Sequence, residues 1–162
     1  MGRIRNWLKQ EKMFKKEITD DKAYFNFKAE YQDIPFHVLQ PKDREDLILV
    51  ICDLILDDKQ KEMVRTLQAK EQTKVLREMQ YQTSTIKGQL YIILDKEKYL
   101  EKIRLWDTIY YDGLSKDKLI KTIFETIKSF LLVEELLTRI FNLPEMEEFE
   151  KRQIKPPSSM YA

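Results

Sequence analysis

The stretch that most constrains the fold is residues 103–141, in which a strand-like segment, a turn and a long apolar segment follow one another. Apolar and polar side chains alternate over residues 103–111, as they do in a β-strand with two different faces. Asp112-Gly113 predicts a turn, and Ser115 is placed to cap the helix that follows. Apolar residues then recur at helical spacing to the end of the stretch, which predicts a long helix lying largely buried across a sheet.

The rest of the chain supplies further elements by the same rules of periodicity. Residues 2–16 predict an amphipathic first helix. The predicted strands cover residues 25–31, 34–39, 47–56, Gln89–Leu94 and 103–111, and residues 59–82 form one helix or two that meet near residues 68–70. We therefore expect an α+β fold, a single domain with a mainly antiparallel five-stranded sheet in the order α-β-β-β-α-β-β-α and the long C-terminal helix packed on that sheet.

The end of the chain differs in composition from the part before it. Pro144 interrupts the helical pattern, and the last residues, KPPSSMYA, have no apolar periodicity with which to join a core. We expect the α+β domain to occupy residues 1–142, and residues 143–162 to form a C-terminal extension that is a short helix or a flexible tail.

Charge and cysteine content limit the classes of function. The chain has 29 Lys and Arg against 28 Asp and Glu, so its net charge of +1 gives no overall field that attracts nucleic acid or an anionic membrane. The single cysteine, Cys52, forms no intramolecular disulfide, and no apolar segment follows the N-terminus, which favours a cytoplasmic protein. The longest apolar run, residues 47–56, is interrupted by Asp53 and is too short to span a membrane.

Residues suited to catalysis or to binding a cofactor are scarce. His37 is the only histidine, so it and Cys52 are the one possible pair of base and nucleophile, on strands that can lie side by side. A buried structural role is the better interpretation of Cys52, because it lies within an apolar run. With glycine only at Gly2, Gly88 and Gly113, no phosphate-binding loop is present. We expect no enzyme, no metal and no cofactor.

Two polar features have alternative interpretations. The start of the long helix could attract an anion with the help of Lys116 and Lys118, but a turn and a cap explain the same residues. Asp53 must face solvent, pair with a cation or lie at an interface, because an isolated buried carboxylate is costly. We favour an outward-facing Asp53, and we interpret the other clustered carboxylates of the loops as solvated charge.

Aromatic residues give the best candidate for a binding surface. Strand alternation places Trp106 and Tyr110 on one face of their strand, opposite Ile103, Leu105 and Ile109. If this face is not covered by the protein itself, it is suited to a partner chain, because Trp and Tyr are frequent in binding hot spots. The alternative is a core beneath the first or second helix. The candidate partner-binding residues are Trp106, Tyr110, Tyr24 and Tyr91.

Two segments, FHVLQPKDREDLILV (residues 36–50) and IYYDGLSKDKL (residues 109–119), together with the order of the elements, indicate a family. The chain resembles an archaeal family of uncharacterised small proteins that is thought to share the fold of type III secretion chaperones, the Tir chaperone-like fold. The resemblance covers about residues 3–141 as judged by matching of elements. It implies a fold, and it suggests protein binding rather than catalysis, because proteins with this fold include dimeric chaperones.

We therefore expect a non-enzymatic protein-interaction module, chaperone-like or adaptor-like, that forms a homodimer and binds a protein or peptide. The alternative from another class is a nucleic-acid-binding protein that uses local basic clusters, although the near-zero net charge argues against it. The residues of that cluster are Arg3, Arg5, Lys9, Lys12, Lys15 and Lys16. An enzyme built on carboxylates is a third and weaker alternative.

Overall fold

The elements of the chain alternate between a helical start, a run of strands, a helical pair, a strand hairpin and a long final helix. The computed structural model describes residues 1–141, apart from the surroundings of the Ala69 side chain. In chain order the elements are α1 (Gly2–Gln10), β1 (Phe14–Glu17), β2 (Ala23–Tyr31), β3 (Ile34–Pro41), β4 (Leu47–Ile55), α2 (Asp58–Thr66), α3 (Ala69–Gln82), β5 (Gln89–Leu94), β6 (Leu100–Tyr110) and α4 (Lys116–Phe141). The predicted α+β class, antiparallel sheet and long C-terminal helix are confirmed.

The sheet has six strands in the order β1-β2-β3-β4-β6-β5, and every neighbouring pair is antiparallel. The prediction of five strands was wrong because it extended the first helix to Lys16. In the structure α1 ends at Gln10, and Lys12 adopts a left-handed backbone conformation with φ of 57°. This reverses the chain, so that Phe14–Glu17 pairs with β2 as an additional edge strand.

The turns between the elements follow the chemistry of the sequence. Gln32 and Asp33 have φ of 49° and 63°, which is the geometry that a tight two-residue β-hairpin requires. The predicted helical stretch over residues 59–82 is two helices, because the chain is extended at Leu67 and Gln68 between them. Asp57 caps α2, and its side chain accepts a hydrogen bond from the Gln60 backbone N–H at 2.7 Å.

Helix α4 begins at the predicted cap and lies across β4 and β6. The Ser115 hydroxyl accepts a hydrogen bond from the Lys118 backbone N–H at 3.1 Å, which satisfies one free donor of the first turn. Burial along α4 does not follow apolarity alone, because Leu131 and Leu132 are exposed whereas Thr122, Thr126 and Ser129 are buried. The Thr126 and Ser129 hydroxyls can be buried because each donates to the carbonyl four residues earlier.

The core lies between one face of the sheet and all four helices. One hydrophobic cluster joins α1 and the first half of α4 to β2, β3 and β4, and includes Leu8, Phe27 and Ile123. The second cluster joins α2, α3 and the end of α4 to β4 and β6, and includes Met79 and Leu137. Because both clusters use the same alternating set of strand residues, the helices cover a single face of the sheet.

Two further expectations concern the end of the chain and its relation to a membrane. The predicted C-terminal extension, residues 143–162, lies outside the described residues. None of the helices between residues 1 and 141 combines the length and the apolarity needed to cross a membrane.

Candidate interaction surface

The face of the sheet opposite the helices is the principal surface of interest, and we call it the open face. In β4 the side chains of Ile48, Val50 and Cys52 enter the core, so Leu49 and Ile51 point to the open face. The expected alternative, a core beneath the first or second helix on this side, is excluded for residues 1–141. Helix α1 and helix α2 both pack in the clusters of the covered face.

A band of four half-buried apolar side chains crosses the middle of the open face, and we call it the apolar band. Leu39 of β3 lies directly opposite Leu49 of β4. Ile51 of β4 lies directly opposite Trp106 of β6. Side chains of directly paired antiparallel residues are close neighbours on the same face, so the band is continuous from β3 to β6. Contiguous apolar surface of this kind on a protein face marks interaction sites.

The four predicted aromatic residues all lie on the open face, but among them the structure brings only Tyr91 and Trp106 into contact. Tyr91 is 59% exposed, and its ring centroid lies 6.2 Å from that of Trp106. Tyr110 lies opposite Leu47, which directly follows the loop of residues 42–46, and the Tyr24 hydroxyl donates a hydrogen bond to Glu45 of that loop. Tyr110 and Tyr24 therefore lie near this loop, whereas Trp106 belongs to the apolar band and Tyr91 adjoins it.

The aliphatic members of this surface were missed by the sequence interpretation. The apolar run LILVICDLIL does not show which of its residues face outward, so Leu49 and Ile51 are absent from the predicted binding residues. The signal was present in the alternation of residues 34–39, which places Leu39 on the face opposite Phe36 and Val38. This apolar run forms a central strand of the sheet, because β4 lies between β3 and β6.

Asp53 is the centre of an ion cluster at one border of the apolar band. Its two carboxylate oxygens each accept a hydrogen bond from Arg104 at 2.7 Å, and the Lys102 ammonium lies 3.6 Å away. Partial burial by itself would raise the pKa of Asp53, but Arg104 and Lys102 together hold it below the ordinary value of 3.8. The expectation that Asp53 pairs with a cation or faces outward is therefore fulfilled in both respects.

His37 belongs to a polar network that also borders the band, because it lies directly opposite Ile51. Its Nδ1 lies 2.8 Å from Oδ1 of Asn26, and the Asn26 amide donates to Asp20 at 3.1 Å. Burial lowers the pKa of His37, which keeps the ring neutral at physiological pH. Asn26 is only 8% exposed, so this network satisfies a buried polar side chain.

Cys52 and His37, the possible nucleophile and base of the sequence, are not in contact. His37 points to the open face, whereas Cys52 lies on the covered face with no exposed surface. The Cys52 thiol donates to the Pro35 carbonyl at 3.3 Å, and burial raises its pKa to about 12. Such a thiol is a poor nucleophile at neutral pH, because the thiolate is the reactive form.

The basic cluster near the N-terminus is largely engaged by the protein itself. Arg5 lies 3.8 Å from Glu17, and Lys15 lies 3.2 Å from Glu30. Arg3 lies over the ring of Trp7. At the start of α4 the Lys116 ammonium is 2.7 Å from Glu11 and 3.0 Å from Gln10, so the turn-and-cap interpretation explains this region without a bound anion.

The carboxylates of the loops also have local roles. Asp46 binds Arg44 through both oxygens at 3.0 and 3.1 Å, and Asp57 caps α2. Within residues 1–141, no group of three or more His, Cys, Asp or Glu side chains is arranged to hold a metal ion. The loop acids therefore contribute turns, caps and surface pairs.

A six-stranded antiparallel sheet with its helices on one face and an apolar band on the other defines an α+β protein of the open-sheet class. The chain belongs to the DUF2299 family of uncharacterized conserved proteins, whose model matches residues 1–137. The predicted resemblance to a family of uncharacterised proteins is confirmed at this level. A search of curated proteins finds no match to the sequence.

Solved structures support the same fold. The crystal structure of an uncharacterized protein from Methanothermobacter thermautotrophicus superposes with a TM-score of 0.78 at 25% identity, and covers 86% of this chain and 97% of the other. YbjN from E. coli superposes with a TM-score of 0.51 at 9% identity over 88% of this chain and 92% of its own, which shows the fold alone. A chain of the HopA1-SchA chaperone-effector complex aligns over 80% of this chain and 89% of its own at 13% identity, but its TM-score of 0.48 carries no argument.

Proposed function

We propose that this protein is a non-enzymatic protein-interaction module, chaperone-like or adaptor-like, that binds a segment of another protein on its open face. The binding module corresponds to residues 1–142, and it acts in the cytoplasm as a homodimer. The partner is a protein or peptide with exposed apolar side chains, because such a segment matches the chemistry of the apolar band.

The observation that carries this proposal is the uncovered apolar band. Leu39, Leu49, Ile51 and Trp106 are only half-buried, although they lie in the central strands of the sheet. Apolar residues on the covered face of a central strand stabilise the fold through their burial. Those on the open face contribute less to the stability of the fold, because part of their surface stays exposed until another molecule covers it. Trp106 and Tyr91 add the aromatic character that is frequent in binding hot spots.

The borders of the apolar band give a partner its orientation. The ion cluster of Asp53, Arg104 and Lys102 and the network of His37 and Asn26 both border the band. A polar rim around an apolar centre is the usual anatomy of a protein interface. The local pairing of the N-terminal basic residues gives no support to the nucleic-acid alternative.

The experiment is a binding measurement with two matched tryptophan variants. The two tryptophans, Trp106 on the open face and Trp7 on α1, are both half-buried, so the same substitution can be made on and away from the proposed surface. The wild-type chain is used to select binders from a library of unstructured peptides, and the dissociation constant of the best binder is measured by calorimetry. We expect Trp106→Ala to weaken binding by tenfold or more and Trp7→Ala to leave it within about twofold.

Two results would overturn the proposal. Equal weakening by Trp106→Ala and Trp7→Ala would show that the open face is not the binding surface, and a failure to select any peptide would remove the function itself. A parallel titration with single-stranded RNA at low salt tests the alternative, because phosphate-dominated binding is strongest there. Tight RNA binding that is lost at high salt would replace the proposed function.

A further inference from the structure

Two lysines on the first strands of the sheet add positive charge to the open face. Lys16 of β1 lies directly opposite Lys28 of β2, and Lys28 lies directly opposite His37 of β3. His37 in turn lies opposite Ile51 of the apolar band. Directly paired residues point to the same face, so both lysines lie on the open face, in the same cross-strand row as the band. We call Lys16 and Lys28 the lysine pair.

The lysine pair has no acidic partner within the protein. In the described part of the chain, no carboxylate lies within ion-pair distance of Lys16 or Lys28. Glu30, two residues further along the same face of β2, is bound by Lys15 at 3.2 Å. Like charges directly opposite each other destabilise a sheet, so the lysine pair contributes nothing favourable to the fold. An anionic group placed between the two ammonium groups would interact favourably with both.

The ion cluster of Asp53 also carries more positive than negative charge. Arg104 and Lys102 share this single carboxylate, at distances of 2.7 and 3.6 Å. Their side chains are 38% and 29% exposed, so both remain accessible from solvent. A guanidinium has five N–H donors, of which Asp53 accepts from only two nitrogens. The cluster can therefore bind a second carboxylate in addition to Asp53.

The lysine pair and the ion cluster are separated by a distance that a short peptide can span. Lys28 lies on β2, next to the first strand of the apolar band, and Arg104 lies two residues from Trp106 on β6, the last strand of the band. Strands β2 and β6 are three strand spacings apart, which is about 14 Å. An extended segment covers this distance with about five residues. Such a segment can place apolar side chains on the band and an acidic side chain near each group of cations.

We propose that the partner segment bound by the open face is acidic as well as apolar. Its apolar side chains cover the apolar band, and its Asp or Glu side chains bind the lysine pair at one end and the ion cluster at the other. This inference rests on the proposed function and names the class of segment that the open face recognises. Complementary charges give the segment its orientation, and they disfavour segments that carry Lys or Arg at the same positions.

The composition of the open face favours an acidic protein segment over other anionic partners. Leu39, Leu49 and Ile51 provide aliphatic side chains, whereas single-stranded nucleic acid stacks its bases on aromatic ones. Asp53 lies among the cations and would repel a continuous row of phosphates. The net charge of +1 gives no overall attraction to nucleic acid or to an anionic membrane. A protein segment with a few carboxylates matches both the apolar and the charged parts of this surface.

The test begins with the peptides that the full wild-type chain selects from the library of unstructured peptides. The selected peptides should be rich in apolar residues flanked by Asp or Glu, and poor in Lys and Arg. In the best binder, replacement of every Asp and Glu by Asn and Gln should raise the dissociation constant by about tenfold or more, because charge-assisted contacts are lost. Calorimetry at low and at high salt should show that salt weakens binding of the acidic peptide much more than binding of its amide version.

Two charge-reversal variants of the protein locate the contact. Lys28→Glu changes the open face, whereas Lys128→Glu makes the same change in net charge on the exposed side of α4, which packs on the covered face. We expect Lys28→Glu to weaken binding of the acidic peptide by about fivefold or more and Lys128→Glu to leave it within about twofold. The thermal midpoint of Lys28→Glu should not fall, because the new carboxylate faces Lys16.

Failure of this inference can be distinguished from failure of the proposed function. Selected peptides without acidic enrichment, or equal effects of Lys28→Glu and Lys128→Glu, would overturn the inference and leave a peptide-binding protein. A library that yields no binder would refute the proposed function itself. Phosphatidylserine vesicles or single-stranded RNA are measured in parallel. If either binds more tightly than the best peptide and loses binding in Lys28→Glu, the inference is also overturned, because the cations then serve a different anionic partner.

Discussion

The two faces of the sheet are built from alternate residues of the same strands, and they differ in what their apolar residues do. On the covered face Phe27, Val38 and Val50 have no exposed surface. Their immediate neighbours Leu39 and Ile51 are equally apolar but only half-buried. Apolar side chains on the covered face therefore stabilise the folded chain. Those on the open face keep apolar surface in contact with water, and burial of that surface by another molecule stabilises a complex.

The two faces of the sheet also differ in the polar and charged side chains that they contain. On the helix side, the buried hydroxyls of Thr83, Thr126 and Ser129 each bond to a backbone carbonyl four residues earlier. On the open face an ionised carboxylate, Asp53, is accepted because Arg104 binds both of its oxygens and solvent remains near. Full burial of such a cluster would carry a desolvation cost that its attraction does not reliably offset. The open face is thus suited to polar as well as apolar contacts.

The largest difference should appear when one aromatic residue is removed from each face. Phe27 is fully buried and stacks on Phe25 with ring centroids 4.7 Å apart, so Phe27→Ala should lower the free energy of unfolding by about 3–5 kcal/mol. Tyr24→Ala, on the open face at 48% exposure, should cost less than about 1 kcal/mol. Urea denaturation measures both. Similar losses of unfolding free energy in the two variants would contradict the proposed difference between the faces.

The ion cluster provides the next effect. Asp53→Ala leaves Arg104 without its carboxylate and should cost about 1–3 kcal/mol at pH 7. The matched control is Asp46→Ala, which removes an equally bidentate but exposed partner of Arg44 and should cost less than about 1 kcal/mol.

The pH dependence follows from the lowered pKa of Asp53 in the folded state. Because the unfolded chain binds the proton more readily, the stabilisation is complete above the unfolded value of 3.8 and is lost as the pH falls through the folded pKa. The gap between wild type and Asp53→Ala should therefore close in acid. A gap that stays constant down to pH 2 would show that the cluster does not act through this charge.

Two adjacent residues of β4 allow a finer comparison. Val50→Thr buries a hydroxyl in the core and should cost about 1–3 kcal/mol. Ile51→Thr changes the open face one position later and should cost less than about 1 kcal/mol in stability. Threonine keeps the β-branched shape in both variants, so strand preference is held constant. The reverse order in urea denaturation would place the core on the other face.

The smallest effect concerns His37. Burial lowers its pKa below 6.5, so the unfolded chain binds the proton more readily than the folded chain. Its contribution to stability is complete above pH 6.5 and decreases as the pH falls towards the folded pKa. The His37→Gln variant should show a flatter dependence of unfolding free energy on pH between 7.5 and 5. An unchanged slope would exclude His37 as its source.

Local signals were sufficient for much of this fold. Gln89–Leu94 was predicted with its observed limits, and the Ser115 cap and the Gln32-Asp33 turn follow from side-chain chemistry. β1 could not be predicted, because Phe14 fits both the apolar side of a helix and a strand. The deciding feature is the left-handed conformation of Lys12, and no glycine marks that turn.

The candidate surface was only partly predictable for a related reason. Alternation in β6 correctly separated Trp106 and Tyr110 from Ile103, Leu105 and Ile109. In β4 both alternating sets are apolar, so the sequence does not tell which set faces the helices. That choice is made by the helices, all of which pack on one side through contacts distant in sequence.

The buried position of Cys52 has a practical consequence. It is the only cysteine of the chain, and it has no exposed surface. Its thiol donates a hydrogen bond from β4 to the Pro35 carbonyl of β3. A thiol reagent can therefore react only when β3 and β4 separate from the covering helices. The labelling rate of the wild-type chain thus reports the opening of this core directly, without an introduced probe.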